Sequence, residues 1–459
     1  MILARFATLG ARRGSPLLAL AVAGALCLAC GGPRPEPRAK SVVIVDIDTL
    51  RADRLSAYGF ERDTSPHLDR LAGEGTRFAW AFSQAPYTLP SQTSILTSLY
   101  PSRHGVFHDG DRLADDAATL AETFRERGFA TAAFVDGGYM KPVFGLDQGF
   151  DLYQDLNGGG LAVGEEPIAR WLREHRDRPF FLLVHTYDTH TPYAPPEPFR
   201  SRFEALVEPP TAGFVPDSAT LEAIRLSKYS ETPRSLEPRD LAYADAMYQA
   251  EIAFVDAWFG RFDALLAELG VRDETVVAVV SDHGEEFQEH GSVLHEKLYA
   301  TVTRVPLLVR GPGVPAGRVV EEVVETIDLA PSLLELAGLP APPKMEGRSF
   351  VETWRGGAPA DGIAISESPF FGLQRAVATD RFHLILHLDG SGRELFEYRD
   401  DPAEQRDLAD ADAAALTETA RRLAAWGAGR PLPRSERSPG AETLPEDVVE
   451  SLRALGYLK

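Results

Sequence analysis

Residues 87–105 place a hydroxyl group next to the predicted start of a helix, a combination that is suited to group transfer. Thr88 comes shortly before Pro90, and an amphipathic helix is predicted to begin at this proline. Proline lacks a backbone N–H group, and the first N–H group of a helix has no intrahelical partner, so proline is well tolerated at that position. The free N–H groups of that turn favour a bound anion. A hydroxyl group there could attack a phosphoryl or sulfuryl group, although a threonine before a helix is more often only an N-cap.

A carboxylate ends the first predicted strand. Residues 41–48 are almost continuously apolar, which is typical of a buried parallel strand, and the run ends at Asp48. In open α/β sheets, ligands bind beyond the carboxyl ends of the strands, so Asp48 is well placed for a hard cation. Asp46 would share that face only if the strand is regular, and we favour a structural role for it.

Two further buried strands are predicted over residues 179–186 and 275–280. The second leads to Asp282 and His283, which offer oxygen and nitrogen ligands on adjacent residues. The first leads to His190, near the end of a strand; a lone histidine is usually structural, but the resemblance described below favours a function for this one. Two weaker candidates accompany that strand, His185 and Asp188.

Residues 87–105 resemble the signature of the sulfatase family, within the alkaline phosphatase superfamily. That signature is Cys/Ser-x-Pro-Ser-Arg, a helix, and then Gly/Ser-x-Tyr-Pro-x-Arg-His-Gly. Residues 88–92 read Thr-Leu-Pro-Ser-Gln, which puts Thr88 at the position of the nucleophile, and the similarity extends from about Val42 to the C-terminus. The resemblance implies an α/β fold: an alkaline-phosphatase-like core with a large, mostly parallel sheet between helices, and a smaller C-terminal antiparallel-sheet subdomain.

The resemblance also implies a metal site and a mode of catalysis. One divalent cation (Mn²⁺, Ca²⁺, Mg²⁺ or Zn²⁺) would be held by four residues: Asp48, Thr88, Asp282 and His283. Thr49 replaces the second Asp of the family's metal motif. The cation would favour loss of the hydroxyl proton of Thr88, and a covalent threonyl ester would form and then be hydrolysed. His190 and His295 match substrate-contacting positions, and either could protonate the leaving oxygen.

Several positions depart from the sulfatase pattern. Gln92 replaces the signature Arg. Where sulfatases carry Gly-Lys-x-His, with Lys and His holding the sulfate oxygens, this chain has Asp136 and Gly138. Both cysteines, Cys27 and Cys30, fall in the predicted leader, so no cysteine remains to form a disulfide or to be converted to formylglycine.

These departures leave three hypotheses about function. The first is a phosphate-ester or phosphonate-ester hydrolase that uses Thr88. The second is a true sulfuric ester hydrolase, and the third is a catalytically weak surface lipoprotein that binds anionic glycans. A transferase of phospho groups is a further variant of the first. The predicted substrate is an anionic ester, and the formal net charge of −21 argues against a nucleic-acid partner.

The 459 residues allow a large domain and a smaller one. We predict a lipoprotein-type signal peptide over residues 1–30, a linker over 31–40, a catalytic domain over 41–340, and a C-terminal subdomain and tail over 341–459. The leader has an arginine-rich start and an apolar run too short to span a bilayer. It resembles a bacterial lipoprotein signal, which implies export to the cell envelope and a lipid anchor to the membrane at Cys30; a plain cleaved leader is the alternative.

Further elements are predicted within these domains. Residues 197–240 are rich in proline, serine and charge, with few periodic apolar residues, and predict an insertion or lid over the site that would set substrate preference. A long helix should follow, with an apolar stripe from Met247 to Leu269 that packs into the core. In the C-terminal subdomain an antiparallel hairpin is predicted, with His383 and His387 on a solvated face.

Overall fold

The computed structural model describes residues 38–228, 230–354, 362–370, 372–433 and 444–454. The predicted signal peptide with Cys30, and the linker before residue 38, lie outside these ranges. Among the helices so described, none has the length and the apolar character that crossing a bilayer requires.

Eight strands form one large sheet in the order β10-β2-β9-β6-β1-β5-β3-β4. β1 runs parallel to both β5 and β6, whereas β9 is antiparallel to its neighbours β2 and β6. Four strands, β11 to β14, form a separate antiparallel sheet, and β7 pairs with β8. The predicted fold class is therefore confirmed. The strands are β1 Ser41–Ile47, β2 Thr76–Phe82, β3 Ala130–Val135, β4 Leu152–Asp155, β5 Phe180–Thr186, β6 Thr275–Val280, β7 Glu286–Phe287, β8 Val293–Leu294, β9 Arg304–Arg310, β10 Arg318–Glu325, β11 Ala364–Ser368, β12 Gln374–Ala378, β13 His383–His387 and β14 Arg393–Phe396.

Helices cover both faces of the large sheet. They are α1 Pro66–Glu74, α2 Thr88–Thr97, α3 Pro101–His104, α4 Leu120–Glu126, α5 Gly160–His175, α6 Phe199–Glu204, α7 Ser218–Ser227, α8 Pro238–Glu268, α9 Ala300–Thr303, α10 Leu329–Leu336, α11 Val351–Trp354, α12 Ala413–Gly427 and α13 Glu446–Ala454. Short 3-10 turns occur at Ala52–Arg54, Ser56–Tyr58, Gly138–Met140, Pro142–Phe144, Arg272–Glu274 and Thr326–Asp328.

Two hydrophobic cores lie on opposite faces of the sheet, because successive side chains of a strand point to opposite sides. In β1, Val42 and Ile44 join the core that α2, α4 and α10 cover, while Val43 and Val45 join the core that α5 and α8 cover. Burial on both faces explains the nearly continuous apolar sequence of β1. The apolar stripe of α8 packs into the second core, as predicted, with Trp258 only 1% exposed.

The stretch of residues 197–240 is more regular than predicted. It contains α6, α7 and the first turn of α8. Asp217 caps α7 by accepting a hydrogen bond from the N–H of Thr220, and Phe203, Leu221 and Ile224 join the second core. The few apolar residues of this stretch are thus enough to hold two short helices, although their density along the sequence is too low to produce a helical pattern.

The small antiparallel sheet contains the predicted hairpin, which β13 and β14 form. The prediction that His383 and His387 lie on a solvated face was wrong for His383, which is buried. Its Nδ1 lies 2.7 Å from Oε1 of Glu404, a residue of the following loop that folds back over the strand. The alternating sequence of β13 could not predict this contact, because Glu404 lies 21 residues further along the chain.

Candidate active site

Three neighbouring parallel strands bring the site together. β1 lies between β5 and β6, and Asp46 is in register with His185 on one side and with Val280 on the other. Because all three strands run in the same direction, their carboxyl ends meet at one edge of the sheet. Three buried side chains converge there, and one ligand atom of each lies within 4.8 Å of the others: Asp48, His185 and Asp282.

The hydroxyl group of Thr88 reaches this cluster from the start of α2. Its Oγ1 donates a hydrogen bond to Oδ2 of Asp48 at 3.1 Å. The same oxygen lies 3.2 Å from Oη of Tyr187 and 3.4 Å from Nε2 of His283. Thr88 is fully buried, so its hydroxyl group is held among these three partners rather than in bulk water. These contacts hold the oxygen against the cluster of buried carboxylates and histidines.

The prediction that α2 begins at Pro90 was wrong. Tyr87 is extended, Thr88 is the first helical residue and Pro90 is the third. The earlier start sacrifices no hydrogen bond, because the third N–H group of a helix also lacks an intrahelical partner. Thr88 is therefore not the N-cap of α2, which is Tyr87, and the hydroxyl group of Thr88 contacts Asp48, Tyr187 and His283 instead. The plainer interpretation of this threonine, as an N-cap only, does not hold.

The donor atoms of the cluster fit a divalent cation. Oδ1 of Asp48, Oδ2 of Asp282 and both ring nitrogens of His185 are buried and lack hydrogen-bond partners among the described residues. Buried polar groups are rarely left in this state without a bound ion or water. Nε2 of His283 lies 3.8 Å from Oδ1 of Asp48 and 3.6 Å from Oδ2 of Asp282. A cation at such donors would withdraw electron density from the nearby hydroxyl group of Thr88.

The backbone fixes the orientation of His283. Its Nδ1 lies 2.9 Å from the carbonyl oxygen of Gly284, which can only accept a hydrogen bond, so Nδ1 carries the hydrogen and the neutral ring presents the lone pair of Nε2. Burial alone would lower the pKa of His283, but the nearby carboxylates of Asp282 and Asp48 raise it. Burial, followed by the charge of Asp282, raises the pKa of Asp48 well above its ordinary value. This concentration of negative charge favours a cation.

His190 and His295 lie one ring farther from Thr88. The ring of His190 stacks on Tyr187 with centroids 4.5 Å apart, and the ring of His295 lies 4.2 Å from that of His283. Burial lowers the pKa of both, to about 3 for His190. At pH 7 both rings are neutral without substrate, so either would need the negative charge of a bound ester to gain the proton that an acid catalyst donates.

The position of Tyr187 depends on a glycine. Gly137 has a φ of +92°, and an added Cβ would lie 2.3 Å from Cε2 of Tyr187. We expect Gly137→Ala to lower the free energy of unfolding by about 1–3 kcal/mol and to lower kcat, because the ring that contacts Thr88 must move. Urea denaturation and ester hydrolysis measure the two effects.

Gly59→Ala is the matched control for this substitution. Gly59 has a similar φ of +99°, but an added Cβ would meet nothing within 4 Å. Gly59→Ala should therefore lower the free energy of unfolding, because alanine disfavours this backbone conformation, but it should leave kcat unchanged. Equal kcat values for both variants would contradict the role given to Gly137.

Asp136 occupies the segment in which sulfatases carry their sulfate-binding Lys and His. Its Oδ1 accepts hydrogen bonds from the N–H groups of Gly137 and Gly158 at 2.9 and 2.6 Å, and its Oδ2 accepts one from Gly160 at 2.8 Å. Oδ2 of Asp188 accepts from the N–H of Leu161 at 2.8 Å. Two carboxylates thus occupy the N–H groups at the start of α5. This wall of the site therefore carries carboxylates in the segment where the family pattern has a Lys and a His that bind the sulfate.

Some residues of the site were weak candidates in the sequence or were not predicted at all. His185, a weaker candidate, belongs to the cation cluster, and Tyr187 contacts Thr88 directly. Gln92, at the position of the signature Arg, donates a hydrogen bond to Oδ2 of Asp46 at 2.9 Å, which agrees with a structural role for Asp46. The hydroxyl of Thr49 donates to the carbonyl oxygen of Thr189, so the position of the family's second Asp is a structural link here.

Comparison with solved structures concerns the fold. The fold is similar to that of the phosphonate monoester hydrolase of Agrobacterium radiobacter, with a TM-score of 0.70 and 23% identity over 85% of this chain and 95% of that one. It is also similar to a structure solved in complex with its substrate D-glucosamine-2-N,6-O-disulfate, with a TM-score of 0.73 and 19% identity over 89% and 100% of the two chains. The chain therefore shares the fold of these two proteins.

The sequence comparisons then give the family. The model described as Sulfatase matches residues 40–339, and the chain belongs to the sulfatase family. The model for the C-terminal part of N-sulphoglucosamine sulphohydrolase matches residues 288–424. A sulfatase of Formosa agariphila is 24% identical over an alignment of 417 positions, which covers 79% of this chain and 82% of that protein. The protein is a hydrolase, and the cluster at Asp48, His185 and Asp282 is consistent with the divalent metal that this family uses.

Proposed function

We propose that this member of the sulfatase family hydrolyses phosphate or phosphonate esters through a covalent ester at Thr88. The observation that carries the proposal is the hydrogen bond of 3.1 Å from Oγ1 of Thr88 to Oδ2 of Asp48, within the buried cation cluster. Thr88 stands at the position from which the family's formylglycine is formed, and no cysteine follows Cys30, so the proposal assigns the attack to the hydroxyl group of Thr88 itself. A hydroxyl group that is oriented by a carboxylate can form such an ester.

Two displacements complete the proposed reaction. In the first, Oγ1 of Thr88 bonds to phosphorus and passes its proton to Oδ2 of Asp48, to which it donates a hydrogen bond. The bond from phosphorus to the alcohol oxygen breaks, and the alcohol leaves with the proton that His190 or His295 gained when the ester bound. In the second, the oxygen of a water molecule bonds to phosphorus and gives one proton to that histidine, the bond from phosphorus to Oγ1 breaks, and Thr88 regains its proton from Asp48. The products are the alcohol and phosphate, or a phosphonate.

Two features support phosphoryl over sulfuryl transfer. A formylglycine hydrate expels sulfate by collapse of its second hydroxyl group, whereas a threonyl sulfate has no such exit and must be hydrolysed at sulfur. In the wall near Asp136 and Asp188 the backbone N–H groups donate to carboxylates, so the contacts that hold the sulfate oxygens in the family pattern have no counterpart there.

A panel of nitrophenyl phosphate, bis-nitrophenyl phosphate, nitrophenyl phenylphosphonate and nitrophenyl sulfate tests this proposal. Each ester should be assayed with Mn²⁺, Mg²⁺, Ca²⁺ and Zn²⁺ in turn. We expect kcat/KM to be higher for at least one phosphorus ester than for the sulfate with every metal that supports activity. A preference for the sulfate ester would contradict the proposal.

A sulfuric ester hydrolase is the second candidate. It is favoured by the family match and by the name of the Formosa agariphila relative. In this candidate the same cluster would hold the cation, and Thr88 would form a threonyl sulfate. The panel distinguishes the two candidates, because only the second predicts that the sulfate is the preferred ester.

We also propose that the protein is exported and held on a membrane by lipid at Cys30. The support is the sequence of the leader, in which an arginine-rich start and an apolar run precede this cysteine. Cys30→Ser should move the protein from the membrane fraction to the soluble fraction of the cell envelope or to the medium. Mass spectrometry of the N-terminal peptide gives an independent check, and a wild-type peptide without lipid would contradict the anchor.

A further inference from the structure

A cavity of about 610 Å³ adjoins the active site across the ring of Tyr187. Tyr187 and His190 form part of its lining, and Oη of Tyr187 lies 3.2 Å from Oγ1 of Thr88. The alcohol part of an ester that is attacked by Thr88 could therefore extend into this cavity. Its volume falls within the range of pockets that hold small organic ligands, and it is large enough for a monosaccharide.

The lining of this cavity is acidic. Among the described residues that line it, one carries an ammonium group, Lys141, and five carry a carboxyl group: Asp136, Asp155, Asp188, Glu251 and Glu450. Nζ of Lys141 lies 3.5 Å from Oδ2 of Asp155, so its charge is shared with a carboxylate. A phosphate ester with a neutral or anionic alcohol would be repelled here, whereas a cationic alcohol would offset the charge of the phosphate group.

Glu251 provides a specific binding group within this lining. It lies on α8 and is only 4% exposed. Its Oε1 accepts a hydrogen bond of 2.7 Å from the N–H of Ala194, but its Oε2 has no hydrogen-bond partner among the described residues. Burial raises the pKa of Glu251 well above its ordinary value, and the charge of Asp188 adds to this effect. A buried carboxyl group in this state gains most from a cationic hydrogen-bond donor.

We propose that this cavity binds the alcohol part of the ester, and that this alcohol carries a primary ammonium group on a body of about monosaccharide size. The inference rests on the proposed function, which places the ester at Thr88. A primary ammonium supplies N–H donors to Glu251, whereas a quaternary ammonium has none to offer. An amino sugar phosphorylated on a hydroxyl group meets both requirements, the charge and the size.

Glucosamine-6-phosphate and glucose-6-phosphate form a matched pair of probes, because they differ only in an ammonium group in place of a hydroxyl group. We expect kcat/KM of the wild type to be higher for the amino sugar by about tenfold or more. In Glu251→Gln the ratio of the two values should fall towards one, while Oε1 of the new side chain can still accept from Ala194. Glu268→Gln, on an exposed position of the same helix, should keep the wild-type ratio.

Binding of the free alcohols separates this inference from the proposed function. Calorimetric titration with glucosamine and with glucose requires no turnover. If the protein cleaves no phosphate ester, the proposed reaction is refuted, but the binding of the two sugars can still be measured. We expect the wild type to bind glucosamine more tightly than glucose, and Glu251→Gln to lose that preference. Equal binding of the two sugars by the wild type, or an unchanged preference in folded Glu251→Gln, would overturn the inference.

Discussion

Thr88→Ala is expected to lower kcat/KM for phosphorus esters by about 10³–10⁶-fold, or roughly 4–8 kcal/mol of activation free energy. The substitution removes the one atom that is proposed to bond to phosphorus. It should leave the fold intact, because Thr88 does not cap α2 and its hydroxyl group faces Asp48 rather than the helix backbone. Steady-state kinetics with nitrophenyl phosphate and a circular dichroism spectrum of the variant measure both expectations.

Two further measurements make this prediction specific to the nucleophile. Thr97→Ala lies on the same helix and removes a hydroxyl group that bonds only to the carbonyl oxygen of Thr93, so it should keep wild-type activity. Wild-type enzyme that is quenched in acid during turnover should carry one phosphate adduct on the peptide with Thr88. Normal hydrolysis of phosphorus esters by Thr88→Ala would show that another group attacks.

Much of the site could be predicted because its residues sit at the ends of recognisable strands. Asp48, Asp282 and His283 each follow an apolar run, and the parallel arrangement of β1 and β6 brings the ends of these runs together. Thr88 could be placed beside them only through the resemblance to the signature of the family. The physical pattern alone, a threonine before a helix, was compatible with a simple cap.

Other contributors to the site were hidden because their role depends on contacts between distant segments. His185 lies inside the buried run of β5, where nothing in the sequence separates a cation ligand from a packed strand residue. Glu251 lies in the middle of α8, a helix whose sequence indicates core packing, and its importance follows from the loop at Ala194 and from the cavity. Asp136 accepts bonds from Gly158 and Gly160, which no local pattern could predict.

Asp282→Asn is expected to abolish cation binding and to lower activity by more than about 100-fold, since groups that merely support metal ligands already cost 10–100-fold when they are replaced. Without metal, the variant should be at least as stable as the wild type, because one of several crowded buried carboxylates is gone. Added Mn²⁺ should stabilise only the wild type, by about 2.7 kcal/mol at 100 times the dissociation constant. Metal analysis and thermal denaturation measure these effects.

Asp273→Asn is the matched control. The side chain of Asp273 is 94% exposed just before β6, so this variant should keep the metal content of the wild type.

Two histidine variants test the remaining ligands. His283→Asn should lose metal as Asp282→Asn does, because the carbonyl oxygen of Gly284 fixes the lone pair of Nε2 towards the cluster. His185→Asn should also weaken metal binding, because both ring nitrogens of His185 are buried without a hydrogen-bond partner among the described residues. Wild-type metal content in both Asp48→Asn and Asp282→Asn would contradict the whole assignment, because these two carboxylates are common to every ligand set that the strand ends allow.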